Sequence, residues 1–293
     1  MLSSIHVVSG LICLLPLVLG AVSQAQVDAN APSRQCGSEI SSEKAAEYEH
    51  RFDLDRTSQV LIESETSVNA PINVWFHVVA QNKSIEGGWV PKEQVNSQMN
   101  VLNADYEPTG LKFVLAGVDY TINQDWFMNG GPQTTQQTQM KAKLRIGGAA
   151  DLNLYSVDFS GDWMGLLGYS TFPVAYSNAP KDDGVVVLYT SLPGGTTPSF
   201  NLGRTVTHEV GHWVGLYHTF QGGCEAPGDG VSDTPYEGTP TRGCPATKDT
   251  CSQAGVDPIH NYMDYSVDSC LNQFTNGQAE RMKSQIRTYR GIS

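Results

Sequence analysis

Read for apolar and polar positions, the chain changes character near residue 70. Residues 26–70 are polar and charged, rich in Glu and Ser, with little β-branched material before Val60. Within them, 41–51 permits a helix but gives it no strong apolar face. Beyond residue 70, apolar runs alternate with periodic segments. The run 71–80, PINVWFHVVA, is nearly continuous and β-branched, the pattern of a largely buried strand. Its His77 is expected on a sheet face in the core, not as a ligand. Residues 92–106 place Val95, Met99, Val101, Leu102 and Tyr106 on a helical pattern. A second strand is predicted at 110–122, a helix at 136–144 and an alternating third strand at 151–159. Turns follow at Gly161, Gly165 and Gly168. A short strand at 183–189 is expected at an open sheet edge, where free backbone groups would pair with an extended peptide. One helix starts near Leu202 and a last one spans 277–289.

Length and composition allow a folded core. The chain has 293 residues, 40% hydrophobic and 16% charged, which argues against global disorder. A net charge of −12 argues against nucleic acid or an anionic membrane as the main partner. Residues 1–25 contain no Lys, Arg, Asp or Glu. Their apolar run 11–20 is followed by small residues at Gly20, Ala21, Ser23 and Ala25, which predicts a secretory signal peptide. The run is too short to span a bilayer, and Pro16 interrupts it. No other segment approaches a membrane span, and the C-terminus is not the apolar tail of a lipid anchor. A secreted, extracellular protein without a membrane anchor is expected. Asn82-Lys83-Ser84 is the only N-glycosylation sequon, in a predicted surface loop.

Chemistry concentrates at 207–218, THEVGHWVGLYH. His208 and His212 are four apart, so a helix projects both from one face. Both imidazoles can then reach one Zn²⁺. Glu209 points about 100° away around the helix, beside the open position of such a metal, where it can accept a proton from water. Gly215 can end the helix and turn the chain back, bringing His218 to the same ion. A bare HExxH arises by chance in about one chain in a hundred of this length, and the added Gly and His lower that to the order of one in ten thousand. An amphipathic helix with surface histidines therefore explains the stretch poorly.

Further candidates flank it. Cys224, Cys244, Cys251 and Cys270 fall in a segment rich in Gly, Pro, Thr and Asp, and read as two disulfides among three pairings. Asp229 and Asp233, with Glu225 and Glu237 near, make Ca²⁺ a secondary candidate. In Asn261-Tyr262-Met263-Asp264-Tyr265, Met263 offers a polarisable floor beneath the metal, and the Tyr265 hydroxyl can ligate zinc or donate to an oxyanion. Upstream, Arg34-Gln35-Cys36-Gly37 supplies a thiolate able to take the fourth zinc position, with Arg34 available to an acidic group in the cleft. Arg51 and Arg56 are candidate processing sites.

Together, HExxHxxGxxH and Asn-Tyr-Met-Asp-Tyr resemble the pappalysin family of metzincin zinc metalloproteases, closest to its small secreted fungal and microbial members. The resemblance runs from about Arg34 to the C-terminus. It includes His218-Thr219-Phe220, Ser232-Asp233-Thr234-Pro235, and Cys270 through Phe274-Thr275 to Gly277-Gln278. It implies zinc ligands His208, His212 and His218, general base Glu209, Met-turn Met263 and metal-side Tyr265. It implies disulfides Cys224–Cys251 and Cys244–Cys270, and favours a latency role for Cys36. The implied fold is α+β and zincin-like: a twisted mixed β-sheet with backing helices above a cleft, and an irregular, disulfide-linked C-terminal subdomain. The expected division is a signal peptide at 1–25, a pro-segment at 26–70, and a catalytic domain at 71–293, split into 71–215 above the cleft and 216–293 below. The narrow substrate choice of larger members, which carry accessory domains, is not expected.

The resulting expectation is a monomeric, secreted endopeptidase with one Zn²⁺ per chain, acting on extracellular proteins and peptides. The alternative is a secreted zinc-stabilised binding protein without turnover. Such a protein has no need of a base beside the metal, and Glu209 is present.

Overall fold

A computed structural model describes Met1, residues 31–60 and residues 70–292. Apart from Met1, the expected signal peptide lies outside the described residues. The helices and strands are, in chain order, α1 (Ser42–Val60), β1 (Ile72–Ala80), α2 (Lys92–Tyr106), β2 (Phe113–Ile122), α3 (Gln124–Asn129), α4 (Thr135–Leu144), β3 (Leu152–Val157), β4 (Gly168–Ser170), β5 (Val185–Leu188), α5 (Arg204–Trp213) and α6 (Asn276–Arg290). The strands form one sheet in the order β2-β1-β3-β5-β4. β2, β1, β3 and β5 are parallel, and β4 runs antiparallel to β5.

Parallel strands covered on both faces read as continuous apolar runs, and β3 is buried at every position. One face of β1, with Ile72, Val74, Phe76 and Val78, packs against Val95, Met99, Leu102 and Tyr106 of α2, Val206, Val210 and Trp213 of α5, and Met282 and Ile286 of α6. The other face packs Val79, Tyr155, Val157 and Val186 against Phe127 of α3 and Met140 of α4. His77 is buried as expected, between Asp119 and Asn153. Asn82 is exposed in the loop after β1.

Two elements were not expected. α3 is six residues long and is fixed by its cap, the Asn123 side chain accepting from the Trp126 amide. β4 is a strand of three residues where only a glycine turn was read. This corrects the placement of 183–189. β5 is interior, with β3 on one side and β4 on the other, so β4 is the strand nearest the cleft edge. Its outer side pairs with residues 35–37: Leu167 N donates to Gln35 O and Gly37 N to Gly168 O, both at 2.9 Å, in a parallel bridge at Cys36.

The C-terminal helix is locked to the sheet by charge. Arg290 places both terminal nitrogens on Asp183 at 3.1 Å, donates from Nε to Trp213 O, and stacks on the Trp213 ring at 3.5 Å. Burial alone would push the Asp183 carboxyl up. Arg290 outweighs it, and the group is held below the usual carboxylate range. Breaking a buried pair leaves an uncompensated charge. Arg290→Ala is therefore expected to lower the unfolding free energy by about 3–5 kcal/mol, read from urea denaturation; a change within experimental error would show that the pair is dispensable.

Candidate metal centre

α5 is buried at every position from Thr205 to Trp213, although five of those residues are polar or charged. It is held there by side chains from elsewhere. Asp105 of α2 accepts from Arg204, from Thr207 Oγ1 at 2.6 Å and from the Tyr262 hydroxyl at 3.0 Å. The Tyr106 hydroxyl donates to Thr207 O. The helix ends where Gly215 takes φ 103°, a left-handed conformation that favours glycine. The chain then returns to place His218 opposite His212.

The imidazoles are oriented by backbone carbonyls. His208 Nδ1 lies 2.7 Å from Tyr262 O, and His212 Nδ1 lies 2.8 Å from Leu216 O. A carbonyl only accepts, so each Nδ1 carries the hydrogen and each Nε2 keeps a free lone pair. These Nε2 atoms converge. His212 Nε2 is 3.1 Å from His218 Nε2, and His208 Nε2 is buried with no partner. Cys36 Sγ completes the group at 3.5 Å from His212 Nε2. All four donor atoms lie within 4.8 Å of one another.

A tetrahedral zinc with bond lengths of 2.0–2.1 Å to nitrogen and 2.3 Å to sulfur sets N···N near about 3.3 Å and S···N near about 3.6 Å. The separations at His212 match both values, and one thiol with three imidazoles is a donor set that zinc takes. Burial favours the neutral imidazoles, the form that offers a lone pair to a metal. Burial lowers His208 and His218 well below the usual imidazole range and takes His212 down to about 4. Burial, then the neighbouring Glu209, pushes the Cys36 thiol well up.

Glu209 is fully buried beside this group. Its Oε2 lies 3.4 Å from Cys36 Sγ and accepts from Ser38 Oγ at 3.3 Å, while Oε1 has no partner. Burial takes its carboxyl up to about 8. Gly168 of β4 passes directly over it; a Cβ there would sit 2.8 Å from Glu209 Cγ. Met263 is wholly buried beneath α5, with Sδ 2.3 Å from where a Cβ on Gly211 would be. The turn that carries Met263 is fixed by a reciprocal amide pair between Asn261 and Gln278, and by Met263 N donating to Asn261 Oδ1 at 3.0 Å.

Tyr265 is brought to the histidines, its ring edge-on to His218 at 4.9 Å. Its hydroxyl donates to Glu39 Oε1 at 3.2 Å, so residues 34–39 claim it too. Arg34 is fully buried, with Nη2 2.7 Å from Asp268 Oδ1 and Nη1 2.9 Å from Thr205 Oγ1, one turn before His208. Ser38, Glu39, Gly168 and Asp268 were not identified from sequence. Each acts through a long-range contact that no spacing rule encodes.

The family model described as Pregnancy-associated plasma protein-A (Peptidase_M43) matches residues 168–287. An extracellular metalloprotease of Sordaria macrospora is 45% identical over 281 residues, covering 94% of this chain and 93% of that protein. The chain belongs to the pappalysin family of zinc metalloproteases. An extracellular metalloprotease of Coccidioides posadasii is also 45% identical, over 94% and 96% of the two chains. A mutant promirolysin of Tannerella forsythia shares this pappalysin's fold at TM-score 0.69 and 28% identity, covering 87% of this chain and 95% of that one. Mature mirolysin in complex with a cleaved peptide gives 0.62 and 29%, over 78% and 95%.

Both disulfides implied by the resemblance are formed, Cys224–Cys251 and Cys244–Cys270. The calcium candidate gains no support. Glu237 is occupied by Lys248, Thr219 and Thr241. Asp233 caps α6 through Thr275 Oγ1 and Gly277 N, and Asp229 accepts from Val231 N. Among the described residues these acids and Glu225 form no converging group of donors. No helix of the described residues is long and apolar enough to cross a membrane.

In this pappalysin the helix position facing Met263 admits no side chain. Gly211→Ala is expected to destabilise the fold by about 1–3 kcal/mol through overpacking and to weaken metal retention in parallel. Thermal melts and zinc content after dialysis would check this, and an unchanged melting temperature would show that Met263 yields freely.

Proposed function

We propose that this chain is secreted as a latent precursor and acts, once opened, as a zinc endopeptidase. In this reading residues 1–25 are the signal peptide, 26–70 the pro-segment and 71–293 the catalytic domain, glycosylated at Asn82. His208, His212 and His218 are the zinc ligands, and Cys36 is the fourth donor that holds the precursor silent. The observation that carries the proposal is the convergence of these four donor atoms within 4.8 Å, with Glu209 Oε2 3.4 Å from the sulfur. The two mirolysin forms add support. The promirolysin likeness covers 87% of this chain and the mature one 78%, as expected if this chain carries a pro-segment.

Bound zinc supplies a Lewis acid that polarises the scissile carbonyl and makes water acidic near neutrality. The Cys36 sulfur marks the place that water takes after the pro-segment leaves. Glu209, already against that place, accepts the water proton and passes it to the departing amine. Met263 supports the ligands from below. Tyr265, released by Glu39, has its hydroxyl free to donate to the developing oxyanion.

Arg34 extends the reading to substrate preference. Asp268 Oδ2 accepts from Leu202 N at 2.8 Å, and its Oδ1 is held by the Arg34 guanidinium. Departure of Arg34 leaves a carboxylate in a buried setting, which a basic substrate side chain would neutralise. The favoured substrates are therefore peptides with Arg or Lys beside the scissile bond.

Glu209→Gln is expected to reduce peptide hydrolysis by the processed enzyme at least about a hundredfold while zinc remains bound, measured by casein digestion alongside metal analysis. A chelator should silence the wild type likewise. Clear turnover by the purified Glu209→Gln enzyme would sink the mechanism. For Asp268→Asn, kcat/KM towards peptides with Arg at the cleavage site should fall about ten- to hundredfold relative to peptides with Leu there; equal losses on both would remove Asp268 from recognition.

A further inference from the structure

We propose that α1 is a second latch on the precursor, seated on the frame of the metal centre through contacts separate from the Cys36 sulfur and keeping that sulfur in place. This rests on reading residues 26–70 as a pro-segment. Cys36 is one donor on one metal, and its occupancy depends on how firmly the flanking chain holds it in place. On one flank is Arg34. On the other, 13 residues beyond Cys36, is Glu49 of α1.

Glu49 meets a guanidinium that already serves the site. Arg281 donates from Nε to Gly215 O at 2.9 Å, the carbonyl of the residue that turns the chain back towards His218. Its two terminal nitrogens hold Glu49 Oε2 at 2.9 Å and Oε1 at 2.5 Å. The Tyr217 hydroxyl, one residue before His218, donates to Glu49 Oε1 at 2.8 Å. Around this charge lies a small apolar seat. Ala45 packs with Phe172, Val174 and Tyr217, and Phe172 is itself edge-on to His212 at 5.3 Å. Phe52 is buried against Tyr289 of α6 at 6.0 Å between centroids. Ala45, Tyr48, Glu49 and Phe52 share one helix face by their spacing. None of these contacts involves the sulfur.

The rest of α1 faces solvent, which makes the latch conditional. Glu43, Glu47, His50, Asp53 and Arg56 are exposed, and a helix this polar is marginal unless docked. Loss of the Glu49 contacts therefore undocks α1 as a unit and leaves Cys36 held by Arg34, the β4 pairing and the contacts of Ser38 and Glu39. Scission of the chain beyond α1 does not by itself break any of these contacts. Activation then requires α1 to dissociate or to be degraded as well as cut. Arg51 and Arg56 both lie on the docked helix, paired with Asp55 and Asp53, so cleavage at either needs α1 to open first.

The test uses the full-length chain. In a Glu209→Gln background, which prevents self-processing, the alkylation rate of Cys36 is measured by peptide mapping, with and without zinc. Glu49→Ala and Phe52→Ala are each expected to raise that rate at least about tenfold with the main thermal transition unchanged. Glu47→Ala, on the exposed face of the same helix, should leave it unaltered. In the active background, uncut Glu49→Ala precursor should hydrolyse a short peptide at least about tenfold faster than uncut wild type, approaching Cys36→Ala. Glu49→Ala and Phe52→Ala rates equal to the parent would overturn the latch. Failure of the protease reading would appear separately, as a processed wild type that does not hydrolyse the peptide.

Discussion

The governing constraint is a helix buried along its length that carries two imidazoles and a carboxyl into the interior. Desolvation of such groups costs several kcal/mol unless each is given a partner. The fold meets this demand atom by atom. Carbonyls of Tyr262 and Leu216 take the Nδ1 hydrogens of His208 and His212. Asp105 ties the start of α5 to α2 and to Tyr262, so helix, turn and imidazole are positioned together. What remains is a set of Nε2 atoms and a sulfur facing a common point, a donor set that fits zinc.

The N-terminal segment answers the same constraint from the other side. Arg34 satisfies buried Asp268, Ser38 reaches Glu209, and Glu39 occupies the Tyr265 hydroxyl. In the proposed reading, each polar group that the enzyme needs free is held by a residue of the pro-segment. Autoinhibition on this account is distributed chemistry, with the sulfur as its centre. Glu49 on Arg281 extends it to the turn that returns His218.

Most helices and strands were legible because their signals are local. His208 and His212 follow from helical spacing, and 71–80 and 92–106 from apolar pattern, close to the observed Ile72–Ala80 and Lys92–Tyr106. β4 was not legible: three residues, two of them Gly168 and Ser170, carry no strand pattern, and their pairing with β5 and Cys36 is non-local. The same holds for Asp268 and Glu49, whose partners lie 234 and 232 residues away. The acidic residues near 229–237 suggested calcium by density alone. Proximity in sequence did not reveal that Glu237 was committed to Lys248 and Asp233 to the start of α6. The disulfide pairing followed from resemblance, since spacing left three choices.

Five cysteines among the described residues divide four to one: two disulfides and the buried thiol of Cys36. In the proposed secreted precursor all five would meet one oxidising compartment during folding. Thiol–disulfide exchange needs an accessible thiolate. Once residues 34–38 are seated, Cys36 is shielded by β4 and faces the Glu209 carboxyl, a neighbour that disfavours the thiolate. A seated Cys36 thus takes no part in exchange with the other four. The contacts proposed to silence the site would then also keep the Cys36 sulfur out of the cross-linking of its neighbours.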